Sequence, residues 1–240
     1  MIRQIAPGRG RETIARTVVT THPWDFRRLD EGDDAAFYSF PRLVVHIDDG
    51  AIVALTGLHG ALLPARGRVL DLMASWRSHL PAGFGGRAIG LGLNAVEMAE
   101  NPQLTAAVVH DLNREPGLPF PDATFDAVVC TVSVQYLTRP LEVFRQVRRV
   151  LRPGAPFVVS FSNRCFPDKA VALWRVTDDA EHVEVVRAYF AGSTEPGAAW
   201  TAMETSGHTP ALGDPLYAIW ARRAPDGSPP APPSLGERAG

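Results

Sequence analysis

The groups in this sequence that can move a proton, hold a charge or attack a carbon gather at a few places along the chain. Asp71 and Asp111 each sit at the end of a short apolar run, VLD and VVHD. Ser133, Gln135 and Tyr136 follow a third such run, and Ser162, Asn163, Arg164 and Cys165 follow a fourth. Upstream, Tyr38, Arg42 and His46 lie in a polar, aromatic-rich segment, DEGDDAAFYSFPRLVVHID. His46 is the member whose ordinary pKa lies near neutrality, and so the best general base on chemistry alone. Tyr136 and Tyr38 are the other candidates for catalytic contact. Arg42 and Arg164 suit an acidic group on a substrate, while Gln135 and Asn163 suit its polar atoms. Each has a plainer alternative: an exposed or structural histidine, a tyrosine packed at a sheet edge, a solvated arginine, a carboxylate that caps a turn. A free cysteine such as Cys165 is usually inert packing, and Cys130, in mid-run, reads as core. No Cys/His/carboxylate cluster has ligand spacing, so no metal is expected.

These groups meet only if the intervening elements bring the run ends together. Residues 68–72 (RVLDL), 87–91 (RAIGL), 106–110 (AAVVH), 126–131 (DAVVCT) and 156–161 (PFVVSF) read as strands, bounded by Gly, Pro, Asp or Asn. Their near-continuous apolar character predicts burial on both faces, as in a parallel sheet covered by helices. Residues 94–100 predict a helix, and residues 140–151 a clearer one. In the latter Leu141, Phe144, Val147 and Leu151 share a face and Pro153-Gly154 stops it. Residues 168–190 predict one or two more helices. AAWTAMET and PLYAIWARR predict two strands joined by SGHTPALGD, and with no helix between them they should pair as a hairpin. Residues 48–63 have helical spacing at Ile52, Leu55, Leu58 and Leu62, with Asp48 or Asp49 as cap. The expected architecture is α/β. It is a Rossmann-like open mixed sheet of about seven strands, mostly parallel, with a C-terminal antiparallel hairpin and helices on both faces. Residues 1–22 are expected to be a flexible arm, 23–66 a helical lid, 67–223 the sheet domain and 224–240 a disordered tail.

Composition narrows the partners. The net charge is −2 with 21% charged residues, which gives no electrostatic argument for nucleic acid or an anionic membrane. No apolar run approaches the ~18 residues that span a bilayer. No signal-peptide stretch begins the sequence and only two cysteines occur, so a reducing cytoplasm is the expected compartment. The oligomeric state expected is monomer or homodimer.

VLDLM, then DLNREPGLPFPDATFDAVVC, then VFRQVRRVLRPGAPFVVSF together resemble a class I S-adenosylmethionine (SAM)-dependent methyltransferase of the type 11-like group, over roughly residues 45–223. The strongest parts are residues 118–128 and 148–160. The resemblance implies SAM as cofactor, lying across the first three strands. Asp71 resembles the family's first-motif acid. Asp111 stands where the family accepts a hydrogen bond from the adenine amino group, and Leu112 where a backbone N–H reads the ring. Thr131, at the end of the fourth strand, is counted with the cofactor residues.

Two departures stand out. The family's glycine-rich first loop is here Asp71-Leu72-Met73-Ala74-Ser75-Trp76-Arg77-Ser78-His79, without glycine, so its turn is expected to differ. Met73 and Ser75 are the expected cofactor contacts there, with Arg77 or Ser78 as other holders of the methionyl carboxylate and Trp76 as a pocket wall or core residue. Gly92 stands near the place of the family's ribose-binding acid. Asn94 or Glu97 then reaches the ribose instead, or the two form a helix cap and its capping-box partner. G-L-G-L-N also invites a dinucleotide reading, which the missing third glycine disfavours.

The implied function is methyl transfer from SAM to a small-molecule acceptor, seated over the ends of the fourth and fifth strands. Two alternatives remain open. One is an enzyme of the same fold doing other chemistry with SAM: cyclisation or elimination in its aminobutyrate arm, or a pericyclic step. The other is a non-catalytic relative.

Overall fold

The computed structural model describes residues 3–4, 23–225 and 227. Apart from those residues, the expected arm over 1–22 and tail over 224–240 lie outside the described part. Eight strands form one sheet: β1 (Arg3–Gln4), β2 (Arg68–Leu72), β3 (Arg87–Gly92), β4 (Leu104–Val109), β5 (Ala127–Thr131), β6 (Pro156–Phe161), β7 (Trp200–His208) and β8 (Leu216–Arg223), in the order β1-β7-β8-β6-β5-β2-β3-β4. β2 to β6 pair in parallel, whereas β8 runs antiparallel to both β6 and β7. The seven expected strands are present, and the two-residue β1 adds an antiparallel eighth at the edge.

Side-chain alternation divides the core in two. Leu70, Leu72, Val128, Cys130, Phe157, Val159 and Phe161 face one side. There they meet Phe144 and Val147 of α4 (Pro140–Val150) and Val186, Tyr189 and Phe190 of α6 (Asp179–Gly192). Val69, Ala127, Val129 and Val158 face the other side, against Leu58 of α2 (Asp49–Leu62) and Leu63 just beyond it. Pro140 opens α4 at its first turn, where its missing N–H costs nothing. The segment read as one or two helices is two: α5 (Ala172–Arg175), then α6, capped by the reciprocal Asp178 and Glu181 bonds. The third apolar run is the exception to burial on both faces. β4 ends the sheet, and Val109 is 60% exposed.

The segment expected to be a helical lid divides. α2 belongs to the core beneath the sheet, capped as expected by Asp48, which accepts from the Ala51 N–H at 2.9 Å. α1 (Asp34–Phe37) and residues 38–47, which are mostly irregular, lie over the carboxyl ends of the strands instead. They are pinned there by Arg28, whose guanidinium nitrogen donates to both Asp34 oxygens at 2.8 Å, and by the buried Lys169, 3.0 Å from Asp34. Burial alone would raise the Asp34 carboxyl pKa, but hydrogen bonds from Arg28, Asn113 and Lys169 hold it below the usual range.

Candidate functional site

Strand order reverses between β5 and β2, and an open parallel sheet takes its ligand outside the strand ends at such a point. A cavity of about 570 Å³ lies there, a normal size for a small-molecule site. Its floor is the ends of β2 to β6, and its roof is the lid.

Most of the residues singled out in the sequence line this cavity: Tyr38, Arg42, His46, Asp71, Met73, Ser75, Gly92, Asn94, Asp111, Leu112, Thr131, Tyr136 and Arg164, and with them Trp76, Arg77, Ser133 and Cys165. Gln135 and Asn163 do not. The Gln135 side chain is buried and donates to the Val132 carbonyl at 3.1 Å, and Asn163 is exposed on the loop after β6. Asp34, Glu97, Asn113, Phe166 and Asp214 also line the cavity. Glu97 apart, they were not singled out: Asn113 and Phe166 adjoin candidates on the same loops, while Asp34 and Asp214 come from segments far along the chain.

The first loop was expected to turn differently for want of glycine. In fact Met73 takes φ +58°, the left-handed conformation that glycine accepts and that costs another residue about 1 kcal/mol. Its neighbour Ala74 then bonds back to the Leu91 carbonyl at 2.8 Å, which draws the loop across the end of β3. A Cβ on Gly92 would overlap the Ala74 carbonyl oxygen. Glycine at 92 is thus the space the loop occupies, which accounts for the missing acid at this strand end.

Asp71 is 2% exposed, and burial pushes its carboxyl up to about 7, against a lowering hydrogen bond from Ser78. Among the described residues its Oδ2 has no hydrogen-bond partner. Ser78, offered as a carboxylate holder, is instead buried under the loop and bonded to Asn101. Thr131 Oγ1 is likewise buried and has no hydrogen-bond partner among the described residues. Asp111 Oδ1 accepts from the Asn113 N–H at 2.9 Å, the turn-capping alternative, and no hydrogen bond to Oδ2 occurs among the described residues.

Asn94 caps the helix, but the expected capping box does not form: the Glu97 carboxylate turns to the lid and the first loop instead. Asn94 Oδ1 accepts from the Val96 and Glu97 N–H groups at 3.0 Å, capping α3 (Ala95–Ala99), while its Nδ2 donates to the Tyr38 carbonyl at 2.8 Å. Glu97 accepts from the Arg42 backbone N–H at 2.7 Å and from Ser75 Oγ at 2.6 Å, so one carboxylate joins lid, helix and first loop. Trp76 adds a bond to the Val44 carbonyl at 2.8 Å. Replacing Asn94 by Ala should cost about 1 kcal/mol of stability in a urea titration, the usual loss for a cap. Asn94→Asp keeps the accepting oxygen but loses the donor to Tyr38. It should therefore cost less stability than the Ala variant while still raising hydrogen exchange in residues 38–45. Equal exchange in Asn94→Asp and the parent would show that this bond does not hold the lid.

Beyond β5 and β6 the cavity turns aromatic. Phe166 packs edge-on to Phe37 and His46, with ring centroids 5.8 and 5.4 Å apart. The Arg42 guanidinium lies 4.8 Å from the Phe37 ring centroid, and both its terminal nitrogens donate to the Phe37 carbonyl. Tyr136 is held by the Phe166 N–H, which donates to its hydroxyl at 2.9 Å, and burial pushes its pKa up to about 12. Burial raises Tyr38 as well, so both phenols stay protonated at neutral pH. Burial lowers the His46 pKa, so its imidazole is neutral there and able to accept a proton. Arg164 Nε pairs with Asp214 at 2.9 Å. No group of metal-ligating side chains and no helix long and apolar enough to cross a membrane occurs among the described residues.

A family model described as a methyltransferase domain matches residues 82–159. The biotin biosynthesis bifunctional protein BioHC of Teredinibacter turnerae is 33% identical over 66 residues, a match spanning 28% of this chain and only 12% of that protein. Among solved structures, a SAM-dependent methyltransferase of Thermotoga maritima, described as a possible histamine N-methyltransferase, superposes with a TM-score of 0.51 at 12% identity over 72% of this chain and 88% of its own. A protein of Pyrococcus horikoshii gives 0.50 at 18% identity over 80% and 100%. The [4+2]-cyclase SpnF gives 0.53 at 15% identity over 92% and 99%. At these identities the structural likenesses speak to fold.

Proposed function

We propose that the chain, which has the fold of the class I SAM-dependent methyltransferases and matches a methyltransferase-domain model over residues 82–159, binds SAM in the cavity over β2 to β5 and transfers the methyl group to a small-molecule acceptor. The observation that carries this is the placement of Asp71, Gly92 and Asp111 around one cavity at the reversal of strand order. The residues fit the cofactor. Two buried polar atoms without partners among the described residues, Asp71 Oδ2 and Thr131 Oγ1, belong to cavity-lining residues, and the backbone of Met73 and Gly92 lets the loop lie close. Asp111 Oδ2 would accept from the adenine amino group, and Ser75 and Met73 would flank the methionine arm.

When bound, SAM supplies a methyl carbon already activated by its sulfonium, open to in-line displacement. The chain's task is then to position the acceptor and keep water out. The lid and Phe166 close the site. Neutral His46 is the group able to take a proton from the acceptor, and Tyr38 and Tyr136, being protonated, serve as donors or walls. The net charge of −2 supports a small acceptor rather than nucleic acid.

Calorimetry with SAM tests binding, and product analysis tests the chemistry: S-adenosylhomocysteine formed only with an acceptor supports methylation. Methylthioadenosine formed without one would support cyclisation or elimination in the SAM arm instead. The glycine-free first loop motivates that second reading, and a pericyclic step stays beside it because the [4+2]-cyclase SpnF shares this fold. Asp111→Asn preserves the capping oxygen while placing a donor where the adenine amino group needs an acceptor. It should weaken SAM binding by about 1–3 kcal/mol with the fold intact. Unchanged affinity would remove Asp111 from the adenine site.

A further inference from the structure

Independently of the cofactor and the reaction, we infer that the free edge of β4 is an interface where two copies of this chain pair their β4 strands antiparallel, joining two sheets into one. The sheet has two edges. At one, β1 covers the outer side of β7. At the other, β4 pairs with β3 alone among the described residues. The bonds to β3 show which backbone groups are left over. The His110 N–H donates to the Gly92 carbonyl at 2.9 Å, so His110 and, by strand alternation, Val108 and Ala106 turn their polar backbone groups toward β3. The N–H and C=O groups of Ala107 and Val109 therefore point away from the sheet. A row of such groups is a template for another strand.

Exposed edges are ordinarily guarded by charge, by proline or by a bulge. Here the guard covers only the start of the strand. The register shifts so that Thr105 is the extra residue on β4, and its hydroxyl donates to the Ala88 carbonyl at 2.9 Å. Beyond it Ala106, Ala107 and Val109 are exposed, and residues 102–109 (PQLTAAVV) include no charged side chain. α3 packs on β4 and exposes Val96, so the apolar surface continues past the edge itself. This lack of charge selects the occupant. A strand of another protein finds no complementary feature here that would recognise it. A second copy needs none, because a two-fold axis at Val108 sets Ala107 of each copy against Val109 of the other. The outward N–H and C=O groups of these residues then exchange bonds in both directions. No like charges are opposed across the axis, and Val109 and Val96 lose water together.

Sedimentation velocity on the full chain tests this pairing. The protein should be mainly dimeric at about 100 μM, as suits a small interface. Val109→Lys puts a charge on the edge of each copy and should raise the dimer dissociation constant by about tenfold or more, equivalent to ~1.4 kcal/mol. Val176→Lys, at another exposed valine just beyond α5 and outside the sheet, should leave the constant unchanged. A parent that stays monomeric at that concentration overturns the inference and leaves the edge to a strand of another protein. A dimer insensitive to Val109→Lys, or weakened equally by Val176→Lys, puts the contact elsewhere and overturns it too. Hydrogen exchange on the parent decides the matter even if the Val109 variant fails to fold. The amides of Ala107 and Val109 should exchange several-fold more slowly at about 100 μM than at about 1 μM, because mass action fills the interface. Exchange that does not change with concentration overturns the pairing.

Discussion

Gly92→Asp should abolish SAM binding rather than strengthen it. The substitution installs an acid near the place where the family resemblance expects a ribose ligand, so a reading from motifs alone predicts a gain. The local geometry predicts the opposite. Any Cβ at 92 overlaps the Ala74 carbonyl oxygen, which is backbone and cannot rotate away. The Ala74 N–H is bonded to the Leu91 carbonyl at 2.8 Å and the Gly92 carbonyl accepts from the His110 N–H at 2.9 Å, so neither side is free to retreat. Relief requires the loop from Met73 to His79 to lift from β3, and with it Ser75, its bond to Glu97 and the Glu97 hold on the lid. Overpacking of this kind costs about 1–3 kcal/mol before the lost bonds are counted. Affinity for SAM should fall by about 100-fold or more, equivalent to ~2.7 kcal/mol, with a lower melting temperature. Calorimetry beside a thermal melt decides it. Tighter binding by the variant would show that the loop moves cheaply and that the ribose acid was merely missing.

That case also marks where sequence stops being informative. The strands were legible because their burial is a local property of apolar runs, and β2 and β6 begin and end at the expected residues. The helix over α4 was legible for the same reason, its apolar face repeating within eleven residues. β4 starts two residues and ends one residue before the expected 106–110 and is not buried, because an edge strand carries no local sign that nothing packs on its outer face. The site was legible where one residue at a strand end suffices, as for Asp71 and Asp111. It was not legible where two distant segments share a group. Nothing near Glu97 in sequence announces that its carboxylate joins Arg42 to Ser75, and nothing near Arg164 announces Asp214, fifty residues on. The first loop shows a third limit. Lack of glycine leads one to expect a different turn, yet a loop tied down on both sides can hold Met73 at positive φ for about 1 kcal/mol. Such a price is invisible unless the surrounding bonds are known.

Asp71→Asn should make the ligand-free protein more stable at pH 8 and a poorer binder of SAM, two effects that a purely structural residue would not combine. Asp71 is buried, its Oδ2 lacks a partner among the described residues, and burial raises its pKa from the ordinary carboxylate value to about 7. The folded state therefore holds a proton that the unfolded chain releases near pH 4. The stability that proton confers is complete below pH 4, declines by about 1.4 kcal/mol per unit as pH rises, and is gone above pH 7. An amide at the same position keeps the shape without the titration, so the variant should gain on the parent by an amount on the order of 3–4 kcal/mol at pH 8 and by little at pH 4. His59 also bends the stability curve, since burial lowers its pKa to about 4 and stability falls as pH drops below 6.5. It does so equally in both proteins, so the difference between their curves isolates Asp71. A buried carboxyl with no charge partner is stabilising only when neutral, and a cation brought into the adjoining cavity is what would favour its ionised form. SAM carries such cations, so binding near pH 6.5 should release a proton from the parent and none from Asp71→Asn. Calorimetry in buffers of different ionisation enthalpy reads this directly. A parent whose stability is flat from pH 5 to 8 would show that Asp71 ionises freely. Equal proton release by the two proteins would show that the ligand does not reach its field.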